Sequence, residues 1–181
     1  MAKHDTKISE LKRRRASPLI TPTDLGDEAS KNIAGGMNAI LADVFALYLK
    51  TKNFHWHMSG PHFRDYHLLL DDQGDSIFAS IDPLAERVRK LGERTLTSIG
   101  SIAKETRLKD NDADYVDPRE MLLELMEDNK ACAKSMREAH SICDAAEDSG
   151  AAGLLETFID ETERRTWFLF EAARGADATG H

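Results

Sequence analysis

The sequence has few features of a disulfide-stabilised, secreted or membrane-spanning protein. Only two of its 181 residues are cysteines, and Cys132 and Cys143 lie too far apart along one expected helix to form a disulfide. No apolar run approaches the ~20 residues that a membrane-spanning helix requires, and no apolar stretch follows the charged N-terminus as it does in a secretory signal. These absences favour a protein of the reducing cytoplasm that has no membrane partner.

Strand signals and internal repeats are also absent, whereas apolar residues recur at the three- and four-residue spacing of helices. Long helices are predicted over residues 27–58, 61–89, 118–147 and 151–173. Residues 91–117 lack a long period and predict a crossover that contains one short helix near 96–102. Four helices with one long connection between the second and the third predict an all-α, ferritin-like four-helix bundle.

Charge is unevenly distributed along the chain. Residues 1–15 contain six basic and two acidic residues, so their net charge is +4, and the rest of the chain carries −12. We therefore expect a flexible basic arm over residues 1–26, the helical domain over 27–173 and a short tail over 174–181. A basic arm on an acidic domain suggests two separate electrostatic roles.

Two pairs of potential metal ligands, His67 with Asp71 and Asp82 with Glu86, each have a spacing of four residues. On a helix, both members of such a pair project from one face and can bind one metal ion. The two pairs cannot share that ion within one chain, because Asp71 and Asp82 are separated by about 16 Å along the helix axis and metal–ligand bonds are only about 2.0–2.6 Å long. Either the chain holds two incomplete half-sites, or a second copy brings its Asp82–Glu86 pair to the His67–Asp71 pair of the first.

A third candidate ligand lies just before the turn at residues 59–61. This turn makes the first two helices an antiparallel hairpin, which can bring His55 beside His67 and Asp71. The resulting set of two imidazoles and three carboxylates suits Fe(II), Zn or Mn. No glutamate is followed three residues later by histidine, so the Glu-x-x-His di-iron centre that lies within one subunit of other such bundles is disfavoured.

Each of these residues also has a purely structural interpretation. A His-x-x-x-Asp pair on a helix often forms a surface hydrogen bond, and Asp82 followed by Pro83 is a common start of a helix. Pro83 also predicts a kink or a break in the second helix. Glu86 has arginines beside it and fits a solvated charged face. Spacing alone leaves these interpretations open.

The residues around the candidate ligands resemble the Dps family, the DNA-binding proteins from starved cells, which are ferritin-like mini-ferritins. The resemblance is carried by Asn53-Phe54-His55-Trp56, Gly60, Phe63, His67, Asp71 and Asp82-Pro83-Leu84-Ala85-Glu86-Arg87. It extends over residues 27–173 and includes the region of Trp167. It implies a dodecameric shell of identical subunits, built from dimers, with a two-iron ferroxidase centre at each dimer interface.

The resemblance also implies roles for individual residues. His55, His67 and Asp71 resemble the iron ligands of one subunit, and Asp82 and Glu86 resemble those of its two-fold partner. The implied reaction is the oxidation of Fe(II) to Fe(III), preferably by hydrogen peroxide. Storage of ferric mineral in the shell and protection of DNA from oxidative damage follow from the same resemblance.

Three further groups of residues are less specific. Trp56 resembles the family's tryptophan beside the centre, and an interfacial core aromatic fits the same position. The family is named for DNA binding, often through a basic N-terminal arm, although many members do not bind DNA. The resemblance therefore implies non-specific contacts to double-stranded DNA, whereas a solvated tail on an acidic domain that repels DNA is the alternative; the basic residues concerned are Lys3, Lys7, Lys12, Arg13, Arg14 and Arg15. Candidates for an acidic iron pore, which a solvated helix end explains equally well, are Asp144, Glu147 and Asp148.

Three classes of function are consistent with the sequence. The first is an iron-oxidising storage enzyme. The second is a nucleoid-compacting DNA-binding protein whose metal site is incidental, and the third is a helical assembly protein whose charge pairs are simply solvated. The expected location is the cytoplasm, with association to the nucleoid if DNA is bound.

Overall fold

The computed structural model describes residues 19–174. Within this range there is no strand, and the helices are α1 (Asp27–His57), α2 (Phe63–Lys90), the short α3 (Ile99–Glu105), α4 (Pro118–Ala145) and α5 (Ser149–Ala173). α1 and α2 form one hairpin and α4 and α5 form another, while α1 packs on α4 and α2 packs on α5. The predicted all-α, ferritin-like four-helix bundle with its long crossover is confirmed.

The most apolar helix is α1, and it contributes many core residues, among them Met37, Leu41 and Leu47. A window of 18 residues in α1 has a mean hydropathy high enough for a membrane span, which the sequence analysis did not anticipate. Half of that window is buried inside the bundle, where α1 contacts α2, α3 and α4. A helix that is covered on several sides needs an apolar surface for that packing.

The crossover helix begins at a capping signal. Ser98 accepts a hydrogen bond from the backbone N–H of Ser101, and the Ser101 hydroxyl oxygen accepts one from the backbone N–H of Ser98. This reciprocal capping box satisfies backbone donors that a helix start leaves unpaired. α3 therefore spans Ile99–Glu105, three residues later than the helix predicted near 96–102.

Pro83 does not break α2, although a kink or break was predicted there. The helix continues through Pro83 from Phe63 to Lys90. Proline removes one backbone hydrogen bond, but Leu84 on one side and Ile77 on the other are fully buried, and their packing holds the helix together. Asp71 and Asp82 consequently lie on one uninterrupted helix, as the separation of about 16 Å requires.

The described end of the predicted flexible arm contacts the end of α2. The Arg89 guanidinium donates a hydrogen bond to the backbone carbonyl of Leu19. Gly92, whose φ is +82°, lies so close to Thr21 that a Cβ at this glycine would be 2.9 Å from the Thr21 carbonyl oxygen. Residues 19–26 are therefore not a free tail, and the remainder of the arm, residues 1–18, lies outside the described residues, as do residues 175–181.

A buried ion pair connects α2 to the turn between α4 and α5. The Arg87 guanidinium donates to the Asp148 carboxylate, which also caps α5 by accepting a 3.0 Å hydrogen bond from the backbone N–H of Ala151. Burial alone would raise the pKa of Asp148, but these hydrogen bonds and the Arg87 charge hold it below its ordinary value. Gly150 leaves space for the pair, because a Cβ there would lie 2.9 Å from Arg87 Nη1.

We expect Asp148→Ala to lower the free energy of unfolding by about 3 kcal/mol, because it removes a helix cap and leaves the Arg87 charge unpaired. The Asp148 contribution is fully present above the ordinary aspartate pKa of about 4 and is lost as the pH falls through the lower pKa of the folded state. Denaturant unfolding of both proteins between pH 7 and pH 2 measures this: their stabilities should converge only in the acid range.

Asp144→Ala is the matched control for this substitution. Asp144 is 62% exposed and pairs with His140 at 3.2 Å, so its removal should change the free energy of unfolding by less than about 0.5 kcal/mol. An Asp148→Ala protein as stable as the control at pH 7 would contradict the structural role of the ion pair.

Candidate metal centre

The turn between α1 and α2 brings two histidines into contact. Gly60 has a φ of +95°, a conformation that glycine adopts without strain and that allows the chain to reverse here. His55 on the last turn of α1 and His67 on the second turn of α2 then stack, with ring centroids 3.7 Å apart. His55 is only 7% exposed.

Each of the two rings is oriented by a backbone carbonyl of the other helix. His55 Nδ1 lies 2.8 Å from the carbonyl oxygen of His67, and His67 Nδ1 lies 2.9 Å from the carbonyl oxygen of His55. A carbonyl oxygen can only accept, so both Nδ1 atoms carry the proton. A neutral imidazole with its proton on Nδ1 has its lone pair on Nε2, which is the form that binds metal ions.

Asp71 lies next to these imidazoles. Its Oδ1 atom is 3.7 Å from His55 Nε2, so the hairpin places Asp71 beside the stacked imidazoles, although the three side chains do not form a closed metal-binding group. The same Oδ1 accepts a 2.5 Å hydrogen bond from Lys52 Nζ. This hydrogen bond is the main reason why the pKa of Asp71 is lowered, with smaller contributions from the Lys52 charge and the two histidines.

Lys52 is the residue that the sequence analysis missed. It lies three residues before His55, one turn earlier on the same side of α1. Its ammonium group pairs with the Asp71 carboxylate, which would otherwise be available to a metal cation. A lysine one turn before a candidate histidine ligand is a visible signal, but lysine spacing alone does not distinguish a partner of Asp71 from a solvated side chain.

Asp82 and Glu86 do not join this cluster within one chain. Both are exposed, and Glu86 forms an ion pair with Lys90 at 3.3 Å. Among residues 19–174, no three histidine, cysteine, aspartate or glutamate side chains are grouped so that one chain could hold a metal ion alone. A single chain thus presents an oriented pair of imidazoles with one carboxylate, and separately a pair of exposed carboxylates.

The hairpin of α1 and α2 also exposes large apolar side chains. Trp56, next to His55, is 60% exposed, and Leu49 and Phe78 are similarly exposed at 61% and 57%. Phe63 and Leu68 at the start of α2 are exposed by more than two fifths. Apolar groups of this size on one hairpin are typical of a surface that another protein chain covers.

The three candidate pore residues differ in accessibility. Asp144 and Glu147 are exposed near the end of α4, whereas Asp148 is 4% exposed, capping α5 and paired with Arg87. Asp148 is therefore corrected from a pore candidate to a structural residue, because its carboxylate is already used by two partners. The six basic residues of the arm lie outside the described part of the chain.

Comparisons with known proteins agree with this fold. A family model of the ferritin-like domain matches residues 35–174. A DNA protection during starvation protein of Agrobacterium fabrum is 32% identical over 82% of this chain and 92% of its own length. An uncharacterized low-temperature-induced protein of Nostoc sp. is 31% identical over 80% of this chain and 82% of its own. The crystal structure of Dps from Thermosynechococcus elongatus is 27% identical, with a TM-score of 0.79 over 83% of this chain and 95% of that one.

We expect Lys52→Met to increase the affinity of the centre for divalent cations by about tenfold, because it frees Asp71 and removes a positive charge beside the imidazoles. Titration with Co(II), followed by its visible absorption, measures the change. Lys130→Met is the matched control, since Lys130 pairs with Glu127 on an exposed part of α4. Equal affinities of the Lys52→Met and wild-type proteins would show that Lys52 does not compete for the site.

Proposed function

This chain belongs to the Dps family of ferritin-like proteins, and we propose that it oxidises Fe(II) to Fe(III) at centres shared by two copies of the chain. The observation that carries the proposal is the pair of stacked imidazoles, each oriented by a carbonyl of the opposite helix, with Asp71 beside them. Imidazole nitrogen and carboxylate oxygen together form a ligand set that suits Fe(II). Iron is the substrate here and, as ferric mineral, the cargo.

The second half of each centre is proposed to come from a two-fold partner. In a symmetric dimer, residues of one surface meet their counterparts in both directions, so two equivalent centres form at each interface. Asp82 and Glu86 are exposed on α2 and can reach another chain. The exposed apolar side chains of the α1–α2 hairpin, Trp56 among them, support this face as the contact between copies.

The residues divide the work of the reaction. His55 and His67 hold Fe(II) through Nε2, since their Nδ1 protons are engaged with carbonyl oxygens. Asp71 and the partner copy's carboxylates add negative charge, which stabilises Fe(III) more than Fe(II) and therefore favours oxidation. Lys52 returns to solvent or to another acceptor when Asp71 turns to the metal.

Hydrogen peroxide is the proposed oxidant. Two Fe(II) ions held in one centre each give one electron to the same peroxide, which takes up two protons and leaves as two molecules of water. Delivering both electrons together avoids the one-electron step that releases hydroxyl radical. Trp56 follows His55 in the sequence and is exposed. We propose that it intercepts stray oxidant, although an interfacial aromatic fits the same position.

Storage and DNA protection complete the proposal. We propose a dodecameric shell that collects the ferric product, in which the acidic charge of the helical domain concentrates cations. Asp144 and Glu147 are the remaining candidates for an acidic entrance. The relatives named for DNA protection during starvation support protection of DNA. We propose that this protection takes place in the cytoplasm, by removal of iron and peroxide and by direct contact through the basic arm.

We expect His67→Ala and Glu86→Ala to lose most of the peroxide-driven iron oxidation, each by removing one half of the shared centre. Co-assembly of the two variants should restore about a quarter of the wild-type sites, because half of randomly formed dimers are mixed and each mixed dimer retains one intact centre. The rate of ferric absorbance at matched protein concentration measures this.

The matched controls are His62→Ala and Glu127→Ala, an exposed histidine and an exposed glutamate that lie outside the centre. Both should oxidise iron at the wild-type rate. If co-assembled variants show no more activity than either variant alone, the centre is not shared between chains.

A second activity, non-specific DNA binding, is proposed for the arm. The six basic residues between Lys3 and Arg15 would be displayed many times by a shell, and multivalency turns weak phosphate contacts into tight binding. A protein lacking residues 1–15 should retard DNA less in gel shifts, with a weaker dependence on salt. Replacing the six basic residues by glutamine keeps the arm length and should have the same effect.

If both arm variants retard DNA as strongly as the wild type does, the arm does not contribute to DNA binding. The same pair of variants separates the two leading functions. An iron-oxidising enzyme should keep its activity without the arm, whereas a DNA-compacting protein with an incidental metal site should tolerate His67→Ala and lose its function with the arm.

A further inference from the structure

A polar groove of about 260 Å³ lies between α2 and α5. Its polar lining comes from two neighbouring turns of each helix, namely Asp72, Gln73, Ser76, Arg164 and Arg165. Leu69 and Phe168 complete it, and the Arg164 guanidinium lies 4.7 Å over the Phe168 ring. None of these residues is among the candidate iron ligands.

Arg165 is the central residue of this groove. It is only 6% exposed, and its guanidinium donates to three neutral acceptors. The acceptors are Asn129 Oδ1 at 2.9 Å, Ser76 Oγ at 3.0 Å and Thr162 Oγ1 at 2.6 Å. Two of its five N–H groups are left over from these bonds.

Among the described residues, no carboxylate forms an ion pair with Arg165. Burial lowers the pKa of Arg165 to about 10, so the guanidinium is still charged at neutral pH. Within the described residues 19–174, none of its hydrogen bonds reaches an acid, and the Glu161 charge acts on it only at a distance. A buried charge without a counter-ion is strongly unfavourable.

Two other described cations that the bundle covers wholly or in part do have counter-ions. Lys50 meets Asp128 at 2.7 Å and Glu124 at 2.9 Å, and Arg87 meets Asp148. Arg165 differs from both in this respect. The groove in front of it offers the space in which a separate anion can supply the missing charge.

Gln73 places a second, independent requirement on a ligand of this groove. It is 5% exposed, and its side-chain N–H donates weakly to the Arg165 carbonyl at 3.4 Å. Its Oε1 atom is buried without a hydrogen-bond partner in the described chain. An amide oxygen can only accept, so one small molecule that satisfies both Arg165 and Gln73 carries acceptor oxygens for the guanidinium and a hydrogen-bond donor for Oε1. A protonated oxyanion has both.

We propose that the groove between α2 and α5 binds a small protonated oxyanion, hydrogen phosphate or hydrogen carbonate, at Arg165 and Gln73. The anionic oxygens accept the remaining N–H groups of Arg165, and the O–H group donates to Gln73 Oε1. Arg164 at the rim adds a second positive charge. Asp72 is exposed at the rim, where solvent screens its repulsion more than the buried Arg165 charge is screened.

Calorimetric titration of the assembled, iron-free, full-length protein tests this proposal without depending on iron oxidation. In a buffer free of other oxyanions, phosphate or bicarbonate should bind with one anion per chain. Sulfate, which has the same shape as phosphate but no O–H group at neutral pH, should bind at least about tenfold more weakly, since it leaves Gln73 Oε1 unpaired. The anion that binds more tightly, phosphate or bicarbonate, is then identified as the ligand of the groove.

Two variants make the result specific to Arg165. Arg165→Met replaces the guanidinium by an apolar chain of similar length and should abolish binding. Ser76→Asp places a carboxylate where Ser76 Oγ now contacts Arg165, so it should abolish binding while raising the thermal midpoint of the protein in oxyanion-free buffer. Arg137→Met, which removes an exposed arginine that pairs with Glu163 at 2.6 Å, is the control and should bind as the wild type does.

Several outcomes would overturn the proposal. Absence of binding of both anions to the wild type would mean that water alone fills the groove and that the Arg165 network is purely structural. Equal affinities for sulfate and phosphate would overturn the requirement for an O–H group. Undiminished binding by a folded Arg165→Met or Ser76→Asp protein would place the anion elsewhere on the shell.

Discussion

Two hydrogen bonds across one turn determine what the proposed metal centre can do. His55 and His67 each donate from Nδ1 to the carbonyl of the other, so the register of α1 against α2 and the tautomer of both rings are fixed together. Because the acceptors belong to the backbone, the imidazoles are oriented before any iron arrives. The rest of the centre needs only carboxylates that approach the two free Nε2 atoms, and Asp71 is already beside them.

The continuity of α2 determines the separation between the two groups of candidate ligands. An unbroken helix carries Asp71 and Asp82 on one rod, separated by about 16 Å, so no local rearrangement can bring both carboxylates to one ion. The proposed chemistry then depends on association, and exposed apolar groups on the same hairpin favour that association. Lys52 fits this arrangement, since it pairs with the Asp71 carboxylate in the isolated chain. Under the proposed function, this pairing would suppress iron oxidation by unassembled chains.

Much of this was predictable from the sequence, and the exceptions have identifiable causes. The four long helices and the approach of His55 to His67 follow from local periodicity and a short turn, which sequence records directly. The predicted break at Pro83 and the pore role of Asp148 were wrong because tertiary packing decides both: buried neighbours hold α2 together, and Arg87, distant in sequence, pairs with the buried Asp148. Lys52 and Arg165 were missed because a basic residue on a helix is usually solvated, and only the fold reveals what lies opposite it. The roles of Asp82 and Glu86 remain predictions that rest on a second chain.

The apolar surface of α1 has a consequence for how the protein is made. α1 leaves the ribosome before its partners, and α2 follows at once, but α4, which covers another side of α1, begins about 60 residues after α1 ends. At ordinary synthesis rates of about 5–20 residues per second this interval lasts roughly 3–12 s. During that time a segment with the composition of a membrane span has one side uncovered. Nascent chains of this protein should therefore depend on chaperones, or on rapid pairing of α1 with α2, more than the finished bundle does.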